Sequence, residues 1–244
     1  MRRVRFETDG EGRDGRFEND EIITDSETYA TDEVTILPPC EPSKIIAAGK
    51  NYHDHIEEMK EKGVGSGELP ERPFFFYKPP SSVIGHGDAI EYPDGAEVVH
   101  YEGEVGVVVG ERCRNVPTDD ALDVLAGYTA LNDVSHRDWG RKEEQWVRHK
   151  GQDTFCPIGP SLQTDVEADV GFETHLNGEK RQDSRTSNTV FSIAELVSDI
   201  SKYMTLEPGD VIATGTPSGV GQLSPGDTVE VTVEGVGTLR NDVR

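Results

Sequence analysis

A mixed α+β fold rich in strand is predicted for this chain of 244 residues by three observations. Short runs of Val, Ile and Leu with strand-like spacing recur along most of its length. Few stretches carry helical periodicity. Strands and helices do not alternate regularly, which argues against a doubly wound sheet. No internal repeat of solenoid length is present.

The elements follow in order. Residues 1–37 hold two strand-like runs, Val4–Glu7 and Val34–Leu37, separated by turns rich in Gly and Asp. Pro38-Pro39-Cys40-Glu41-Pro42 reads as a stiff connector. A minor boundary is therefore expected near residue 40, dividing a small N-terminal β segment (1–40) from a main domain (41–244). Lys44–Ala48 has the composition of a buried strand, and a helix is expected from about Tyr52 to Lys62, ending in the loose segment Gly63-Val64-Gly65-Ser66-Gly67. Phe74–Tyr77 reads as a strand stopped by Pro79-Pro80. Val98 to Val109 is expected as one long strand, Leu125 to Val134 as another, and Arg137–Trp146 as a helix. Ser192-Ile193-Ala194-Glu195 is a capping box, opening an amphipathic helix to about Tyr203. Asp210–Thr214, Thr228–Glu234 and Gly237–Arg240 read as strands, divided by Pro-Gly-Asp turns at 208–210 and 225–227.

Charge narrows the function classes. There are 24 Lys+Arg against 47 Asp+Glu, a formal net charge of −23. Such a chain repels phosphate and shows no basic stripe, so nucleic acid is not an expected partner. No run approaches the roughly 18 continuous apolar residues of a membrane span. The start, Met1 to Glu7, leads into Asp9, Glu11 and Asp14 rather than an apolar stretch, so no signal peptide is expected. The acidic residues are spread from Glu7 to Asp242, and only 9 of the basic residues are Lys. A uniformly acidic shell repels itself unless salt screens it, which points to the cytoplasm of a cell with a salty interior. Cys40, Cys113 and Cys156 are odd in number and lack a C-x-x-C spacing, so neither a zinc ribbon nor a disulfide framework is expected.

Five places can carry chemistry. On a strand, Glu102 and Glu104 point to one face, about 7 Å apart along the chain, and Tyr101, Val105, Val107 and Val109 take the other. Two carboxylates facing one way repel unless a cation or water intervenes; a solvated strand face in an acidic chain is the plainer reading. Asp133 lies where an apolar run gives way to polar residues, a usual position for a site residue and equally for a helix N-cap. His55 and Glu58 are i and i+3 on the expected helix, so they can touch as an acid–base pair or as a surface pair. Lys150 is one of few lysines. Gly215-Thr216-Pro217-Ser218-Gly219-Val220-Gly221 lacks the Gly-Lys-Ser/Thr ending and a following helix, which rejects phosphate-loop and dinucleotide readings. It remains a tight loop whose N–H groups can hold an anion.

Six stretches, in order and spacing, resemble the fumarylacetoacetate hydrolase family: Gly49–Glu58, Tyr77–Pro79, Tyr101–Gly106, Asp133–Asp138, Gln145–Pro160 and Gly209–Gly221. The resemblance covers residues 44–241 and is of the acylpyruvase or 2-hydroxyhepta-2,4-diene-1,7-dioate isomerase type. It implies a β-rich roll of the family's C-terminal-domain type, a homodimer, and one divalent cation per subunit. By this resemblance Glu102, Glu104 and Asp133 take the metal-ligand positions, and His55 and Glu58 match an acid–base dyad on a mobile lid helix. Lys150 matches a lysine near the substrate; Arg137, Gly215 and Thr216 match residues that line or bind it. Gly140 departs from related acylpyruvases, which often carry Gln there.

Three carboxylates with no His or Cys form a hard oxygen site suited to Mg²⁺ or Mn²⁺. The implied activity is on small 2-oxo acids by way of an enolate that the cation stabilises. Hydrolysis of acylpyruvates or decarboxylation of oxaloacetate-like diacids leads, with the dienedioate isomerase, or dehydration of a 2-keto-3-deoxy sugar acid, as the alternative. A cation-binding module without catalysis is the competing reading from another class.

Overall fold

The computed structural model describes every residue except Asp20, Val64, Gly65 and Arg141. The expected mixed architecture is found: sheets of twelve, four and three strands carry few helices. The centre of the large sheet runs Cys156–Gln163, Leu125–Asn132, Gly103–Val109, Val211–Ala213, Ile45–Gly49 and Phe74–Lys78. Residues 1–37 extend it at one end, joined where Arg2 and Arg3 pair with Gln163 and Leu162.

Gly103–Val109 is buried along its whole length. Val105, Val107 and Val109 pack with Phe172, Val231 and Val233 of the four-stranded sheet and with Ile193, Val197 and Ile200 of the helix Ile193–Tyr203. Val108 on the opposite face meets Ile45, Leu131 and Ile158. A strand covered on both faces has no solvated side, which is why Val105–Val109 reads as a continuous apolar run after Glu104. The helix starts as its capping box requires: Glu195 N–H donates to Ser192 Oγ, and Ser192 N–H donates to the Glu195 carboxylate at 2.8 Å.

Two expectations are corrected. The single strand Val98–Val109 is two strands, Val99–Tyr101 and Gly103–Val109, in different sheets. The ladder is interrupted at Glu102 because side chains take the amides: Glu102 N–H donates to Asn132 Oδ1 (3.0 Å) and Gly103 N–H to Gln182 Oε1 (3.0 Å). A Cβ at Gly103 would lie 1.9 Å from Thr174 Oγ1, so only glycine lets the four-stranded sheet approach there. Tyr101 consequently packs away from Val105, among Ile90, Val99 and Leu223.

The helix expected over 137–146 is also absent from the described residues in that form. Single turns occupy Arg137–Gly140 and Val147–Lys150. The chain doubles back so that the His149 ring covers Gly140, where a Cβ would stand 3.0 Å from it. Trp146 meanwhile packs against Phe74 and Phe76. The helix expected from Tyr52 forms as α1 (His53–Glu61). Of the loose segment expected after it, Val64 and Gly65 lie outside the described residues.

Candidate functional site

The interruption at Glu102 builds the site. Glu102 sits at the junction of two sheets, Glu104 one turn of pleat further along the central strand, and Asp133 just past the end of its neighbour Leu125–Asn132. Asp133 N–H donates to Glu102 O at 2.8 Å, fixing the two junctions side by side. The three carboxylates converge: one oxygen of each lies within 4.8 Å of the others, and all three residues are buried.

Three cationic side chains press on this cluster. Lys150 Nζ donates to Glu102 Oε2 (2.7 Å) and Asp133 Oδ2 (2.5 Å). Lys78 Nζ stands 2.6 Å from Asp133 Oδ1 and donates to Lys150 O at 2.5 Å. Arg137 bonds Glu102 through one amino group and His100 Nδ1 through Nε at 3.1 Å. Burial pushes the Glu102 carboxyl up, but Lys150 and Arg137 outweigh it and hold the group well below the usual carboxylate range. Burial likewise opposes the Lys150 charge, which Asp133 and Glu102 more than restore, so its pKa is raised.

Glu104 behaves in the opposite way. Its Oε2 accepts the Gly215 N–H at 2.7 Å, and no Lys or Arg pairs with it among the described residues. Burial, then Asp133 and Glu102, push its carboxyl well above the ordinary range. A buried carboxylate without a counter-charge, converging with two others and with oxygen donors alone, fits a hard divalent cation.

The second group lies on α1. His55 Nδ1 is 3.5 Å from Glu58 Oε2, as the i, i+3 spacing required. Burial lowers the His55 pKa; Glu102 draws it up and Arg137 drives it down, leaving a ring that is neutral near pH 7. His100 is pushed down to about 4 by burial and then by Arg137, so its Nδ1 is free to accept. The tight loop at 215–219 turns its N–H groups onto carboxyl groups of the protein itself. Gly215 N–H takes Glu104 (2.7 Å), Ser218 N–H and Oγ–H take Asp54 Oδ2 (3.2 and 2.7 Å), and Gly219 N–H takes Glu58 Oε2 (3.3 Å). The Thr216 hydroxyl donates to Gly103 O (2.9 Å) and accepts from Gln182 Nε2 (2.8 Å), tying the loop to the sheet junction.

The structure thus gathers Glu102, Glu104, Asp133, Lys150 and Arg137 into one contact network, with His55 and Glu58 facing it from α1. Gly215 and Thr216 join it through the bonds just described. Sequence reasoning missed Lys78, His100, Asn132 and Gln182. For Lys78 a signal existed: the scarcity of lysine that drew notice to Lys150 applies to it equally, and it ends an otherwise aromatic strand.

With this geometry in hand, comparison with known proteins is direct. Residues 44–244 match the fumarylacetoacetate (FAA) hydrolase C-terminal family. The chain belongs to the fumarylacetoacetate hydrolase family. It is similar to oxaloacetate tautomerase YisK of Bacillus subtilis, 41% identical over 239 residues, covering 92% of this chain and 77% of the relative. The solved structure of 5-carboxymethyl-2-hydroxymuconate delta-isomerase from Mycobacterium smegmatis superposes with a TM-score of 0.90 at 44% identity, covering 100% of this chain and 98% of that one. Maleylpyruvate hydrolase from Sphingobium sp. SYK-6, solved with manganese (II) and pyruvate, gives a TM-score of 0.82 at 30% identity, with 100% and 98% coverage. The family is one of enzymes, and this member is an enzyme with the acidic triad of a divalent-metal site. No helix among the described residues is long and apolar enough to cross a membrane.

Proposed function

We propose that the enzyme acts on small 2-oxo acids, generating an enolate next to the keto group, with C–C hydrolysis of acylpyruvates or decarboxylation of oxaloacetate-like diacids as its reaction. One observation carries this reading: three buried carboxylates from separate segments converge within 4.8 Å beside a buried ammonium. Glu102, Glu104 and Asp133 would hold Mg²⁺ or Mn²⁺, which when bound supplies Lewis-acid polarisation of a 2-oxo acid's carboxylate and keto oxygens.

The chain's own residues do the rest. Arg137, about a quarter exposed beside Glu102, holds the substrate carboxylate. Lys150 neutralises negative charge developing on the 2-keto oxygen, and in a buried site that charge counts for more than in water. His55, neutral, accepts a proton from water as its oxygen bonds to the 4-keto carbon, and Glu58 stabilises the imidazolium so formed. The C3–C4 bond then breaks with its electron pair passing to C3, and His55 returns the proton there. Pyruvate and a carboxylic acid leave. In decarboxylation carbon dioxide departs from the same position and no water is added.

A second reading is tautomerisation of oxaloacetate, in which His55 and Glu58 move a proton between C3 and the enol oxygen. The relatives named oxaloacetate tautomerase, at 41% and 39% identity, favour it. The proposal extends to a homodimer, supported by exposed Phe74 and Tyr77 on an edge strand, and to a salt-rich cytoplasm, supported by the charge of −23.

The test is turnover of acetylpyruvate, oxaloacetate and enol-oxaloacetate with Mg²⁺ or Mn²⁺ in concentrated KCl, followed by NMR. Formation of pyruvate, or accelerated enol–keto interconversion, supports the proposal. A His55→Ala enzyme as active as wild type on all three removes the dyad; no turnover by the wild type removes the whole reading.

A further inference from the structure

α1 carries the proposed proton-transfer pair, yet of its nine residues only Ile56 is buried. Apolar contact therefore anchors the helix at its N-cap residue Tyr52 and at Ile56, and leaves the orientation of its exposed face to polar bonds. Three are available, through Asp54 and Glu58, all to the loop at 218–219. Ser218 donates to Asp54 Oδ2 from Oγ (2.7 Å) and from N (3.2 Å), and Gly219 N–H donates to Glu58 Oε2 at 3.3 Å. The Glu58 bond uses the oxygen that also faces His55, at 3.5 Å.

The receiving loop is rigid. Gly219 has φ +95°, and a Cβ on it would lie 2.1 Å from Arg181 O. Its carbonyl accepts from Tyr101 Oη at 2.9 Å, and Gly215 N–H is held by Glu104 of the triad. A contact to this loop is a contact to a platform registered on the carboxylates.

We propose that the Asp54–Ser218 contact is a latch that orients α1, making Asp54 and Ser218 positioning residues for the His55–Glu58 pair. This rests on the proton-transfer role proposed above. Asp54 supplies the docking bonds, so Glu58 keeps its geometry toward His55. Without the latch the helix is held by Tyr52, Ile56 and Glu58 alone, and the dyad spends less time over the triad.

Asp54 is exposed and Ser218 half-buried, and neither belongs to the hydrophobic core, so substitution leaves the core intact. The experiment measures amide hydrogen exchange over α1, and kcat and KM for acetylpyruvate and oxaloacetate with Mn²⁺, in full-length Asp54→Ala, Ser218→Ala, the double variant and Ser218→Thr. Ser218→Ala leaves the first turn of α1 untouched, so it separates a latch from simple helix stabilisation by Asp54. Exchange over 53–62 should quicken about fivefold or more in both single variants, with the large sheet unchanged. Each should lose about tenfold in kcat with KM within about twofold, and the double variant should lose no more than the worse single one. Ser218→Thr should restore both readouts. Unchanged exchange over α1, looser α1 with unchanged kcat, or additive losses in the double variant would each overturn the latch. If the wild type turns over neither acid while α1 loosens in the variants, the functional reading fails and the docking contact stands. If the wild type is active and α1 does not loosen, the latch alone fails.

Discussion

Lys78→Met offers a sharp test of how the site is held. Lys78 is 1% exposed and its Nζ stands 2.6 Å from Asp133 Oδ1, with bonds to Lys150 O (2.5 Å) and Val134 O (3.3 Å). Methionine fills most of the space and removes the charge. Asp133 keeps Lys150 on its other oxygen, so half its compensation survives, while two buried carbonyls lose their donor. Breaking one partner of a buried ion pair costs about 3–5 kcal/mol. In a chain of 244 residues, at ~2–4 °C per kcal/mol, this predicts a fall in Tm of roughly 6–20 °C. Thermal unfolding followed by circular dichroism, at fixed salt and with chelator present, reads it directly. A variant melting within about 2 °C of wild type, the effect of under 1 kcal/mol, would refute the claim that Lys78 balances Asp133.

Three further outcomes are expected. Glu104→Gln should melt no lower than wild type without metal, because Glu104 is already driven towards its protonated form. It should also lose the rise that Mn²⁺ gives the wild type, about 2.7 kcal/mol at a hundredfold excess over Kd; an undiminished Mn²⁺ response would exclude Glu104 as a ligand. Asp210 is buried and accepts from Ser43 Oγ (2.6 Å), Lys44 Nζ and Glu207 N (2.7 Å), which together overcome burial and hold its pKa below the ordinary 3.8. A carboxyl depressed on folding stabilises above its unfolded pKa, so its contribution should be complete above that value and vanish as pH falls through the folded one. Acid titration of Asp210→Asn should therefore lack that part of the wild-type loss, and parallel titration curves would contradict the assignment. Finally, Tm should climb between ~0.1 M and ~3 M KCl as screening relieves the acidic shell; a flat response argues against a salty interior.

Much of this was legible in the sequence because the informative residues stand close to their signals. The capping box at Ser192, the i, i+3 spacing of His55 and Glu58, and the strands flanked by Pro-Gly-Asp turns are local patterns, and local patterns survive into structure. The strands Glu11–Glu18 and Glu179–Arg185 carry no apolar alternation, since most of their side chains are charged. Cys156–Gln163 was obscured by Pro157 and Pro160. At the site, the carboxylates were visible as residue types, but the interruption at Glu102 was not. It depends on Asn132, Gln182 and Thr174, none of which is near in sequence. The scarcity of lysine marks Lys78, but not its role, because its partner is 55 positions away.

The junction at Glu102 carries one more consequence. Val99–Tyr101 belongs to the small three-stranded sheet, whereas Glu104 and the strand before Asp133 belong to the large one. An ion gripped by Glu102, Glu104 and Asp133 would act as a rivet through the seam between two β-layers. Chelation should then slacken the small sheet, Ser135–His136 and Gly221–Leu223 included, well before the broad one gives way.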